Sequence, residues 1–131
     1  MRIQIPLCSV VLVCLGLAGI GLAQDAVKVD PKHYTVITEN DQVRILRVHY
    51  GPHEKSVMHS HPATAAVFLT DSKGQFTYPD GKTKAFDLKA GDAGYETANT
   101  HLPENTSDKG MDLIVVELKG PAAKSRMAAT K

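Results

Sequence analysis

Val57-Met58-His59-Ser60-His61-Pro62-Ala63-Thr64-Ala65-Ala66-Val67-Phe68-Leu69-Thr70 is the stretch on which the fold class turns. Thr64 to Thr70 is an apolar run bounded by Pro62 and Asp71, of strand length and too short for a helix. Ahead of it, Val57 to His61 reads as a short extended piece. Successive side chains of a strand alternate faces, so His59 and His61 point the same way. A third imidazole, His101, lies about forty residues on in His101-Leu102-Pro103-Glu104-Asn105. Two histidines from one strand and one from another make a candidate three-nitrogen metal site. Imidazole suits iron, zinc, nickel and copper, and geometry and availability choose among them.

The same punctuation recurs on both sides. Tyr34 to Thr38 and Val43 to Tyr50 read as strands rich in β-branched and aromatic residues, separated by Asn40-Asp41 and stopped by Gly51-Pro52. Gln75 to Tyr78 and Lys82 to Leu88 flank Pro79-Asp80-Gly81, a turn in which proline presets φ and glycine accepts a positive one. Lys89-Ala90-Gly91-Asp92 is a second tight turn. Ala93 to Thr97 is a weak strand that Asn99 to His101 continues; Glu104 to Gly110 is a polar loop. Met111 to Lys119 is the strongest strand in the chain. Short strands with turn signals every 8–12 residues or so predict an all-β sandwich or barrel.

The chain has 131 residues and begins as a secretory signal does. Arg2 is followed by an apolar run from Leu7 to Leu22, and Gly21-Leu22-Ala23 offers small residues where a signal peptidase reads. The expectation is a signal peptide over 1–23, an extended arm over 24–33, one domain over 34–119 and a flexible tail over 120–131. That places the mature protein in the periplasm or outside the cell, with no membrane association after cleavage. Cys8 and Cys14 leave with the signal, so residues 24–131 offer neither disulfide nor thiolate ligand. Arg2 is the only charge in 1–23, and 14 basic and 14 acidic side chains remain. That balance, without a basic cluster interleaved with aromatics, excludes nucleic acid as the natural partner.

Gly51, His59-x-His61 and Gly74 resemble the first motif of the cupin superfamily, and Gly91-Asp92 with His101-x-x-x-Asn105 resembles the second. The likeness spans about Thr35 to Lys119. It implies a single-domain, jelly-roll β-barrel that binds a divalent transition metal (iron, zinc, manganese, nickel or copper) through His59, His61 and His101. It also implies that Asn105 braces the ligand loop from a second shell around the metal, and that two copies pair through edge strands as a homodimer. The chain departs from the pattern where a glutamate would follow the second histidine: Ala65 and Ala66 stand there. Glu96 and Glu104 are the candidates to replace that carboxylate or to act as a base.

A three-histidine set is similar to that of the thiol and diketone dioxygenases among cupins. The HSHP and HxPEN segments resemble a group of small bacterial cupins, mostly of unassigned activity, some placed near β-alanine degradation; no substrate carries over. The functional expectation is therefore a metal-dependent dioxygenase acting on a small molecule, and the alternative is a non-catalytic module binding a small ligand. His33, His49 and His53 read as surface residues. Tyr95, Phe68, Phe76, Phe86, Val67, Leu69, Leu113 and Val115 read as lining the barrel.

Overall fold

The computed structural model describes residues 24–120; the expected signal peptide and all but the first residue of the expected tail lie outside them. A one-turn helix, α1 (Ala26–Val29), precedes nine strands: β1 (Tyr34–Glu39), β2 (Val43–Tyr50), β3 (His59–His61), β4 (Thr64–Phe68), β5 (Ser72–Thr77), β6 (Thr83–Leu88), β7 (Ala93–Glu96), β8 (Asn99–Asn105) and β9 (Met111–Leu118). They form a five-stranded sheet in the order β1-β2-β9-β4-β7 and a four-stranded sheet in the order β3-β8-β5-β6. Every ladder within them is antiparallel. The two sheets face each other as a jelly roll, and among the described residues no ladder joins them. No described helix is long and apolar enough to cross a membrane.

Alternation decides what enters the core. Leu46, Val48 and Tyr50 of β2 meet Met111 and Val115 of β9 on the inner face, with Tyr34 and Phe68 beside them. Leu46 is fully buried, a burial that stabilises the fold by about 2 kcal/mol. The phenols of Tyr34 and Tyr50 hydrogen-bond each other at 2.8 Å, which satisfies both inside the core. Val67 and Leu69 stand at the other parity from Phe68 and are exposed, not in the barrel. Tyr95, expected inside, is the most exposed large apolar side chain described, at 62 %. It sits opposite Ala65 on the outer face.

Two local features place the site. Gly74 lies where a Cβ would come within 2.5 Å of the Glu104 carbonyl oxygen and 2.4 Å of the Phe86 ring, so only glycine lets β5 approach β8 and β6 there. Residues 93–101 do not form one continued strand: β7 ends at Glu96, and β8 starts at Asn99 in the other sheet. β8 then runs on through the expected loop to Asn105. Pro103 is tolerated because its carbonyl faces Ser56 N at 2.9 Å, which turns its missing N–H toward the irregular chain after β2 and away from the β5 ladder.

The N-terminal arm is folded, not extended. Asp25 caps α1 by accepting from the backbone N–H groups of Val27 and Lys28. His33, read from sequence as a surface residue, is only 6 % exposed. Its Nδ1 meets Asp30 Oδ2 at 2.7 Å, its Nε2 meets Glu54 Oε2 at 3.1 Å, and its ring stacks on Tyr50 at 4.3 Å. His49 and His53 are exposed as expected, paired with Asp112 and Asp108.

Candidate metal centre

The β3–β8 ladder builds the site. His59 lies directly opposite His101, and His61 is opposite Asn99. With His59 and His61 on the inner face by strand alternation, that register delivers the third imidazole beside the first two. Each ring offers a nitrogen, and these atoms all lie within 4.8 Å of one another. All three residues are buried.

The hydrogen bonds fix which nitrogens are free. His59 Nδ1 donates to the Val57 carbonyl at 2.8 Å. His61 Nδ1 donates to Glu117 Oε1 at 2.6 Å. A neutral imidazole protonated at Nδ1 presents a lone pair at Nε2, and these two Nε2 atoms face each other at 3.0 Å. Two acceptors at that distance repel unless a cation sits against them. Burial, reinforced by the neighbouring imidazoles, pushes His59 down to about 4 and His101 down to about 3, so both are neutral near pH 7. His101 Nδ1 is buried without a hydrogen-bond partner among the described residues. An orphaned buried nitrogen beside two opposed Nε2 atoms fits a metal ion, and a three-imidazole set suits a divalent transition metal.

Neighbouring rings hold the imidazoles in place. Phe76 stacks on His101 with centroids 4.7 Å apart and planes 15° from parallel. Tyr34 meets His59 edge-on at 4.9 Å.

Glu117 escaped the sequence reading. It is 2 % exposed and comes from β9, in register with Arg44 of β2 and Thr64 of β4. Burial alone would raise its carboxyl, but hydrogen bonds from His61 and Arg44 outweigh that and hold it below the usual carboxylate range. The signal was in the chain: Met111, Leu113, Val115 and Glu117 share the inward parity of the most apolar strand. An acid there has to have partners.

The other sequence candidates stand apart from the triad. Glu96 accepts from Asn99 Nδ2 at 3.0 Å and lines the same cavity, but it is not one of the residues whose ligand atoms cluster there. Glu104 is on the opposite face of β8 from His101, where it accepts from Gln75 Nε2 at 2.9 Å. Neither replaces the carboxylate missing at Ala65 and Ala66; Glu117 brings one behind His61 instead. Asn105 is fully buried and does brace a loop, donating to the carbonyls of Gly51 and Lys109 at 2.9 and 2.7 Å. It bonds to none of the three histidines.

His61 and His101 reach the floor of a cavity of about 310 Å³ between the sheets. Its walls are mostly apolar, with Phe68, Phe76, Phe86 and Leu113 prominent and Lys84 and Glu96 among the few charged groups.

The architecture has solved counterparts. A cupin domain protein from Bordetella pertussis superimposes with a TM-score of 0.62 at 21 % identity, over 66 % of this chain and 92 % of that one. The protein has the cupin fold. An RmlC-like cupin with a double-stranded β-helix fold from Methanocaldococcus jannaschii matches with a TM-score of 0.56 at 15 % identity, over 70 % of this chain and 84 % of that one. A double-stranded β-helix protein from Klebsiella pneumoniae gives 0.55 at 20 % identity, over 68 % and 77 %. No protein-family model and no curated protein matches the sequence. The fold, then, is shared, while the centre has to be read from this chain's own residues.

Proposed function

We propose that this cupin is an exported protein that holds one divalent transition metal on His59, His61 and His101 and presents it to a small, largely apolar molecule in the cavity above. The 3.0 Å approach of His59 Nε2 to His61 Nε2, with both Nδ1 atoms engaged elsewhere, is the observation that carries the reading. A bound metal supplies Lewis-acid or redox chemistry at the cavity floor. The chain's own part is to keep His59 and His101 neutral by burial, to orient His59 and His61 through Val57 and Glu117, and to exclude water with the phenylalanine wall. Export is supported by the Arg2, Leu7–Leu22 and Gly21-Leu22-Ala23 pattern.

The alternative, a binding module that catalyses nothing, is favoured by one observation. Among the described residues, no carboxylate joins the three imidazole nitrogens in their cluster, and Glu96 and Glu104 accept hydrogen bonds from Asn99 and Gln75. Elemental analysis of reconstituted protein tests the metal reading: about one equivalent of a transition metal per chain is expected, and less than about a tenth overturns it. An oxygen-consumption screen of small apolar carboxylates and enols then separates turnover from binding alone.

A further inference from the structure

The carboxylate behind His61 is itself held. Arg44 Nε donates to Glu117 Oε2 at 2.5 Å, and Arg44 Nη2 donates to Asp25 Oδ2 at 2.6 Å. The fork fixes one oxygen of Glu117 and thereby aims the other at His61 Nδ1. The Arg44 side chain is 16 % exposed, and its opposed partners come from β9 and from the residue that caps α1. The same N-terminal turn touches the ligand strand directly. β3 is three residues long and an edge of its sheet, and among the described residues its one ladder is with β8. Its open side is met by Gln24, whose carbonyl accepts from Ser60 N at 2.7 Å, between the two ligand histidines. Asp25 and Ser60 form a parallel bridge.

We infer that Arg44 and Asp25 are positioning residues for the metal centre: through Glu117 they set the orientation of His61, so that docking of the N-terminal turn tunes metal affinity. The inference rests on the metal reading above. A guanidinium that served the fold alone would only need to neutralise Glu117. Here it spans two carboxylates from different elements in a planar fork, which a lysine ammonium cannot reproduce.

The test is zinc affinity, measured by competition with a chromophoric chelator, for wild type, Arg44→Met, Asp25→Asn, Glu117→Gln and the Arg44→Met/Glu117→Gln double variant. Arg44→Met should weaken zinc binding about tenfold or more and shift the visible bands of the cobalt-loaded protein. Asp25→Asn should weaken it about threefold. In the Glu117→Gln background, Arg44→Met should add less than about twofold, because its route to His61 is already cut. Wild-type affinity in both single variants overturns the inference, as does a double variant whose losses simply multiply. A lower melting point of the metal-free variants with unchanged zinc affinity marks a structural role only and also overturns it. Should Arg44→Met fail to fold, Asp25→Asn decides alone by the same criterion. A wild type that takes no zinc overturns the metal reading and this inference with it, whereas a binding wild type beside equally binding variants overturns the inference alone.

Discussion

The two strands that meet at the centre hold their histidines by different physics. β3 is a three-residue edge strand, and its rings are oriented by hydrogen bonds, His59 to Val57 and His61 to Glu117. β8 has seven residues and lies inside its sheet; its His101 is clamped by stacking on Phe76, and its Nδ1 has no hydrogen-bond partner among the described residues. A short edge strand cannot fix side chains by its own rigidity, so polar partners supply the constraint. An interior strand already fixes the backbone, and an apolar wall then suffices to set the ring. The polar partners bring direction and charge; the stacked ring brings shape.

The comparison breaks first at the ligands. His61→Ala or His101→Ala should each weaken metal binding by about a hundredfold or more, measured by chelator competition, because either leaves only two nitrogens. Equal affinity in either variant would remove that residue from the centre. Next comes the polar partner: Glu117→Gln keeps an acceptor for His61 but removes its charge, and should cost about tenfold in affinity. The apolar clamp is weaker. Phe76→Leu should cost about 1 kcal/mol of stability in a denaturant titration and about threefold in metal affinity, since a stacked pair contributes on that order. A loss larger than that of Glu117→Gln would reverse the proposed ranking.

The smallest effect concerns the paired phenols behind β3. Burial raises both Tyr34 and Tyr50 above the ordinary value of 10.0, and their mutual hydrogen bond ties the pair together. A raised folded value means that the unfolded chain ionises first. This stability is fully present below pH 10 and is lost as pH rises beyond it. Melting points followed from neutral to strongly alkaline pH should fall more steeply in wild type than in Tyr50→Phe, and parallel curves would count against a buried phenol pair.

Much of the fold was legible because strands and turns are local. Pro79-Asp80-Gly81 forms the expected hairpin turn, with Gly81 at φ 81°, and the His59/His61 pair follows from alternation alone. The change of sheet between Glu96 and Asn99 was not legible, since it depends on which partner each half finds. Continuing one strand through that gap is what wrongly put Tyr95 on the inner face. The folded N-terminal turn was hidden for the same reason. Asp25 caps one turn that tertiary contacts with Ser60 and Arg44 then hold, and polarity along 24–33 carries no sign of them. Glu117 was half-legible: its parity was visible, but its partners Arg44 and His61 lie 73 and 56 residues away.

The central claim is that His59, His61 and His101 bind one ion together. X-ray absorption on the zinc-loaded protein tests it most directly. The account predicts about three imidazole nitrogens at roughly 2.0–2.1 Å with the remaining position filled by a water oxygen. A shell made of oxygen atoms, or of a single imidazole, would contradict it.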